Sequence, residues 1–514
     1  MELVELLEVA VAEAFDPRVI IYAAFGVLIG ITVGAIPGLS GDLAIAIVLP
    51  LAFALPPTRA LGFLIGIYKG SMFGGSISAI SFGVPGTGAA AATVEDGFKA
   101  KQRGVPKQAL YTGLYSSVTG DLIASFALIF LALPMASLAL MMGPREFFAL
   151  FVLSLMLIAL LTQGVPRKGL AAGALGLLIG AIGMDPVGGT TRLTFGISQL
   201  RGGLPLVPVL VGVFAISELV IQFRKSFEAK HGREESGESS RKGSDAPQDY
   251  DPAKDRMSLG LYFRTLKATV IGGFTGTFIG ALPGAGSSLA GFLAYGVSKR
   301  FSKRRDEYGK GSLEGVAAPE GGNSATCAAS MVPLFAFGIP GSATAALIGA
   351  ALIMQGITPG PRMIAENAPM MYAFFIVLVY ASFMNLGFSQ LLIPLYARLS
   401  MIKPKYLIPS VFILAVLGTY AARNSPTDVA VLLVMGAVGY ILRKHGFPMG
   451  PFIIAFIVGP GTERALRQAL TISRGDVTYL FTSPIAIGLY VVAIAFIASV
   501  AYAFRGSAKD GSQG

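Results

Sequence analysis

Charge is what this chain has least of: 13% of its 514 residues are Asp, Glu, Lys or Arg, against about 25% in soluble domains. That density cannot cover a water-facing globule of this size, which argues against a soluble enzyme. Disorder is excluded too, because it needs low hydrophobicity and high charge. The single cysteine, Cys327, forbids an intrachain disulfide and lies among small apolar residues, so thiolate metal sites drop out. The only two histidines, His231 and His445, sit in polar or basic stretches. A histidine-built zinc site or a Ser-His-Asp triad has nothing to be made from. Tryptophan is absent, leaving Tyr and Phe for any membrane-interface belt. What is there is 54% hydrophobic residues, a mean hydropathy of +0.68, 65 glycines and 30 prolines. The glycines follow no period of three, so collagen is excluded. The class that remains is an all-α polytopic membrane protein. The net charge of +11 then reads as basic cytoplasmic loops rather than a nucleic-acid footprint. Glu2, Glu5, Glu8 and Glu13 give the N-terminus the wrong sign for a signal peptide, and no cleavage is expected.

Apolar runs long enough to enter or cross a bilayer follow one another from Val19–Ile36 to Leu204–Phe223 and again from Ala268–Leu282 to Ile485–Phe504. Between them the stretch from Arg224 is dense in charge, Ser and Gly and reads as a linker. The chain therefore divides into an N-terminal transmembrane repeat (1–223), a polar cytoplasmic linker (224–258) and a C-terminal transmembrane repeat (259–514). The halves echo each other. Gly26, Gly30 and Gly34 lead into Ala35-Ile36-Pro37-Gly38, as Gly272, Gly276 and Gly280 lead into Ala281-Leu282-Pro283-Gly284. Phe82-Gly83-Val84-Pro85-Gly86-Thr87 matches Phe337-Gly338-Ile339-Pro340-Gly341-Ser342, and Gly189–Arg192 weakly matches Gly461–Arg464. Three matches in one order indicate a tandem duplication. Basic residues follow the second motif in half one (Lys99, Lys101, Arg103, Lys107) but the first motif in half two (Lys299, Arg300, Lys303, Arg304, Arg305, Lys310). If basic loops are cytoplasmic, equivalent loops lie on opposite sides, and the repeats are inverted.

The arms Ala268–Leu282 and Ala285–Ser298 are each too short for a core of roughly 30 Å, and basic residues close both ends. This predicts a re-entrant hairpin with Pro283-Gly284 at its tip inside the membrane. Proline lacks an N–H and glycine accepts unusual dihedrals, so a Pro-Gly pair can end one helix and start another. The new helix presents free backbone N–H groups and the positive end of its dipole, which suits an anion. Small polar residues follow all four tips: Gly38, Ser40, Gly41 and Asp42; Gly86, Thr87 and Gly88; Gly284, Gly286, Ser287 and Ser288; Gly341, Ser342 and Thr344. A lone Pro-Gly would read as a plain kink; four, paired between repeats, read as a binding site. The glycines at four-residue spacing are expected at close helix contacts instead.

Charges in apolar surroundings are the other pointer. Asp42 either helps to hold a cation or caps its helix. Lys69 either meets a substrate carboxylate or snorkels to an interface. Glu320 either caps a helix start or leads a functional run in which Asn323, Ser324 and Thr326 supply donors to a carboxylate or oxygens to a cation. Asp121 and Asp185 read as loop or helix-end residues. The expected substrate-binding set is Gly38, Ser40, Gly41, Lys69, Gly86, Thr87, Gly284, Gly286, Ser287, Ser288, Asn323, Ser324, Gly341, Ser342 and Thr344, with Asp42 and Thr326 for an ion.

Several of these segments resemble the large membrane subunit of the tripartite tricarboxylate transporter family. The resemblance rests on Gly34-Ala35-Ile36-Pro37-Gly38, on Gly74-Gly75-Ser76-Ile77-Ser78 running to Val84-Pro85-Gly86, and on Gly280-Ala281-Leu282-Pro283-Gly284. Gly315–Glu320, Gly338–Ser342, Ile357–Pro361 and Gly439–Met449 extend it over nearly all of the chain outside the linker. The resemblance implies a bacterial inner-membrane, multi-pass secondary transporter importing citrate or a related carboxylate by symport with a cation, sodium or proton. It implies a small membrane subunit and a periplasmic solute-binding protein as partners, and no cofactor. From the residues alone, membrane lipids are expected neighbours and nucleic acid is not. A binding-protein-independent transporter or channel for another organic anion is the competing expectation. An intramembrane enzyme would need a clustered nucleophile or acid/base pair that the sequence does not offer.

Overall fold

The structure, a computed structural model, describes residues 3–36, 39–161, 165–185, 188–224, 255–399 and 404–510. Pro37 and Gly38, with most of the linker, lie outside the described residues. The described chain is almost wholly helical; a two-residue antiparallel pair, Gly183–Met184 with Thr191–Arg192, is its one sheet. Half one holds α1 (Leu3–Ala14), α2 (Pro17–Gly34), α3 (Gly41–Phe53), α4 (Pro57–Phe82), α5 (Ala91–Gln102), α6 (Pro106–Leu140), α7 (Pro144–Leu161), α8 (Pro166–Gly180) and α9 (Leu206–Arg224). Half two holds α10 (Leu259–Gly280), α11 (Gly286–Phe301), α12 (Leu313–Ala329), α13 (Met331–Phe337), α14 (Ala343–Met354), α15 (Pro361–Glu366), α16 (Ala368–Leu399), α17 (Pro404–Arg423), α18 (Pro426–Lys444), α19 (Met449–Ile472) and α20 (Pro484–Asp510). Among the described residues seven helices are long and apolar enough to cross a membrane, and α3 and α14 are apolar but too short. Phe130, Phe274, Phe278 and Leu391 face outward, as lipid-exposed side chains do. The chain is an all-α polytopic membrane protein.

Lipid supplies no hydrophobic drive between helices, so close backbone approach must hold them. The spaced glycines provide it. A Cβ added at Gly26, Gly30 or Gly34 would fall 2.2, 2.3 or 2.6 Å from the carbonyl oxygens of Phe63, Ile67 or Ser71 on α4. From the other side, Gly66, Gly70 and Gly74 meet the carbonyls of Ala23, Val27 and Ile31 just as closely. Half two repeats the contact: Gly272 and Gly276 of α10 press on the carbonyls of Ala318 and Gly322 of α12, and Gly280 on Thr326. The expected glycine contacts are thus present, between equivalent helices of the two halves.

In both halves the helices that flank the first motif return the chain to the side from which it came, Pro37 and Gly38 themselves lying outside the described residues. Lys267, eight residues into α10, donates to the Phe301 carbonyl at the end of α11 (2.8 Å), so the second arm returns to the side on which the first begins. The first arm is longer than expected, 22 residues beginning at Leu259, because Ser258 caps it by accepting from the Leu261 N–H. In half one the ion pair of Arg59, in the first turn of α4, with Asp16 at the start of α2 (3.2 Å) places the chain that leaves α3 back beside the start of α2. The second motifs also match. Gly83 and Gly338 both end their helices with φ near +70° (68° and 74°), a conformation that favours glycine. The Gly86 N–H then bonds the Gly75 carbonyl (3.1 Å), as the Gly341 N–H bonds that of Ser330 (3.2 Å).

Loops cross between halves. Lys99 and Arg103, past the second motif of half one, donate to the carbonyls of Gly309 (2.7 Å) and Lys310 (3.1 Å), past the first motif of half two. Gln355, past the second motif of half two, donates to Ala52 and Leu55, at the end of the first hairpin of half one. Asp96, fully buried on α5, fixes the first junction by accepting from the N–H groups of Gly309, Gly311 and Ser312 and from the Tyr295 hydroxyl, at 2.7–3.0 Å. Replacing it by Ala would orphan four donors, each costing about 1–3 kcal/mol when buried. Asp96→Ala should therefore lower stability by at least about 3 kcal/mol, read as a large drop in thermal unfolding midpoint in detergent, with Asp96→Asn intermediate.

Candidate functional site

The four tips pair across the halves. The first tip of half one meets the second tip of half two: the Thr344 hydroxyl donates to Asp42, and the Tyr68 hydroxyl lies 3.3 Å from that of Ser342 and 3.5 Å from that of Ser330. The first tip of half two meets the second tip of half one: a Cβ on Gly88 would lie 3.2 Å from the Ser288 hydroxyl. Within half two the Gly284 N–H also bonds the Gly341 carbonyl (2.9 Å). Gly284 has φ +83° and presses on the Ile158 backbone of α7, so its glycine serves the fold as well as the tip.

The two cross-half centres differ in what their helix N-termini meet. In the first, Ser40 caps α3 by accepting from Leu43 N–H (3.2 Å), and Ser342 caps α14 by accepting from Ala345 N–H (3.0 Å). The Asp42 carboxylate lies in the first turn of α3, where negative charge is favoured. Gly41, beside it, would drive a Cβ into the Ser71 hydroxyl. In the second centre, no side chain caps α11 or the 3-10 turn Gly88–Ala90 that runs into α5. Gly88 is exposed, and Gly286, Ser287 and Ser288 are half-buried in the first turn of α11. The Thr87 hydroxyl is buried with no partner. By the repeat, Asp42 corresponds to Ser288 and Ser342 to Thr87. One centre is closed by the chain's own carboxylate; the other presents two open helix ends and an unused hydroxyl, which is what a carboxylate ligand requires.

The remaining expected residues lie on the helices behind the tips. Lys69 is buried on α4 and its ammonium meets Asp121 (2.5 Å), Ser382 (2.9 Å) and Ser125 (3.3 Å). Its charge is thereby matched inside the protein. Asp121 is no loop or helix-end residue: it sits within α6, 4% exposed, as the partner of Lys69. Asp185 does lie in a loop, where Arg467 pairs with it (2.8 Å). The weakly matching segments meet there, Arg192 gripping Glu463 with both terminal nitrogens at 2.9 and 3.0 Å. Ser324 bonds Ser117 of α6 (2.5 Å), and the Thr326 hydroxyl donates to its own helix at Asn323 (2.6 Å). Glu320 is not at a helix start but inside α12, fully buried, with Ser76 (2.5 Å) and Thr93 donating to one carboxylate oxygen. Tyr68, Thr93 and Ser330 were not singled out by sequence, and Ser76 entered only within the motif Gly74–Ser78; uncharged and in apolar or small-residue runs, they carry no signal of their own. Among the described residues no three His, Cys, Asp or Glu side chains cluster as a metal site.

A polytopic helical protein whose broken helices meet in the interior has the architecture of a membrane transporter. The tripartite tricarboxylate transporter TctA family matches residues 20–454, and the chain belongs to it. It is a membrane component of a tricarboxylate transporter, and its family is one of transporters. A protein of Agrobacterium vitis, described as an uncharacterized 52.8 kDa protein in the TAR-I ttuC' 3' region, is 35% identical over 97% of this chain and 96% of its own length. A second, from the TAR-II ttuC' 3' region of the same organism, is 38% identical over 44% of this chain and 95% of its own length. No solved structure matches the chain.

Proposed function

We propose that this protein is the large membrane subunit of a tripartite, binding-protein-dependent transporter that takes up citrate or a related di- or tricarboxylate, driven by a cation gradient. The observation that carries the reading is the second centre, where the uncapped N-termini of α11 and of Gly88–Ala90 converge beside the unpartnered Thr87 hydroxyl. Substrate carboxylates accept from those N–H groups and from Ser287, Ser288 and Thr87. The family match supports a small membrane subunit and a solute-binding protein as partners, and the bacterial inner membrane as the location. The test is uptake of labelled citrate into proteoliposomes holding this chain and the small subunit, with binding protein and gradient supplied. Flux that needs all three is expected. No carboxylate flux would overturn the reading, and flux without binding protein would assign a binding-protein-independent transporter instead.

The repeats are inverted in this reading, and alternating access arises as one repeat rocks against the other. Two loop contacts support it: each pairs the first-motif loop of one half with the second-motif loop of the other. Single cysteines replacing Pro57 and Arg305 should label from opposite faces of the membrane. Labelling from one face would end the inverted arrangement.

A further inference from the structure

Behind the open centre lies a set of buried polar atoms that the fold leaves without partners, of which the tip site uses the Thr87 hydroxyl alone. Glu320 and Asn323 are one helical turn apart on α12, both 0% exposed. One Glu320 oxygen accepts from Ser76 and Thr93; the other has no partner. Both ends of the Asn323 amide are unpartnered, as is the Thr87 hydroxyl. The repeat explains the gap. Asn323 occupies on α12 the position that Tyr68 holds on α4, and Thr87 that of Ser342. In the closed centre the Tyr68 phenol reaches across to Ser342. In the open centre the shorter Asn323 makes no such bond, and three polar groups stay unsatisfied. The turn Gly88–Ala90 packs against α4, α11 and α12, which keeps Thr87 beside this helix, and a Cβ added at Gly75, next to Ser76, would fall 2.5 Å from the Thr87 hydroxyl.

The charge is unbalanced as well. Of the charged groups on the helices around Glu320, Lys69 and Asp121 are spent on each other, Asp96 is bound by the loop at 309–312, and Glu95 pairs with Lys99. An unpaired buried carboxylate must be neutralised, by a proton or by a cation. A bare carboxylate oxygen, an amide oxygen and a hydroxyl oxygen are hard ligands suited to an alkali cation.

We propose that Glu320, Asn323 and Thr87 form a binding site for a monovalent alkali cation. Resting on the transport reading above, the site is that of the coupling ion. Thr87 then joins the two ligands: its oxygen faces the cation while its proton is donated to a substrate carboxylate, since one hydroxyl supplies both functions. Bound cation thus orders the group that receives the substrate.

The test is equilibrium binding of radiolabelled sodium to the purified protein in detergent, without any carboxylate, against choline at equal ionic strength. Saturable binding by the unaltered chain is expected, with affinity about tenfold or more lower in Glu320→Gln and in Asn323→Ala. Glu320→Gln keeps the oxygen that Ser76 and Thr93 bind; Thr87→Val, at the edge of the fold's core, provides a second variant if the first fails to fold. Sodium binding unchanged in a folded variant would overturn the site. So would no binding of sodium, lithium or potassium by the unaltered chain together with uptake driven by a proton gradient alone. Because the assay needs no flux, loss of carboxylate uptake with sodium binding intact would count against the transport reading only.

Discussion

Ser288→Asp is expected to abolish carboxylate uptake, by about 100-fold or more, while the protein still inserts and folds. The expectation comes from comparing the two centres. At the position equivalent to Ser288 the other half carries Asp42, whose carboxylate takes the Thr344 hydroxyl and lies in the first turn of α3. An aspartate at 288 would put a tethered carboxylate against Gly88 and Thr87, where the N-termini of α11 and the Gly88–Ala90 turn are uncapped. A tethered anion loses far less freedom on occupying such a slot than a free one, so it excludes substrate at any practical concentration. Ser288→Ala removes a single hydroxyl and should cost only about tenfold. Uptake by proteoliposomes, with expression and melting as controls, measures both. Ordinary transport by Ser288→Asp would remove carboxylates from this centre.

Lys69→Met should destabilise the protein by about 3–5 kcal/mol, because it leaves Asp121 charged, buried and unpaired. Adding Asp121→Leu should restore most of the loss, since well-packed apolar residues replace a buried ion pair at little cost. Thermal unfolding in detergent reports the stability, and uptake by the double variant reports the role of Lys69. If the ammonium serves only Asp121, Ser125 and Ser382, the double variant transports. If it also meets substrate, stability returns and uptake does not.

What could be read from the sequence was what depends on local chemistry. The helix breaks at Pro85-Gly86, Pro283-Gly284 and Pro340-Gly341, the hairpin of α10 and α11 and the spacing of Gly26, Gly30 and Gly34 follow from residues within one or two turns of each other. The partner of each tip could not be read, because Asp42 meets Thr344 and Gly88 meets Ser288 across the whole length of the repeats. Asp121 was misplaced for the same reason. Nothing near it in sequence matches its charge, and its partner Lys69 stands on another helix. Glu320 showed its charge but not its setting, since Ser76 and Thr93 come from α4 and α5. The extra length of α10 came from Ser258, a cap at the edge of the linker.

The cross-half pairing of the tips has a consequence for how the protein is made. The chain enters the membrane from its N-terminus, and Asp42 arrives 302 residues before the hydroxyl that binds it. Lys69 finds Asp121 after 52 residues, but Ser382 only after 313. The first half must therefore wait in the bilayer with its tip carboxylate unsatisfied until the second is threaded beside it. Neither half, expressed alone, contains a finished centre.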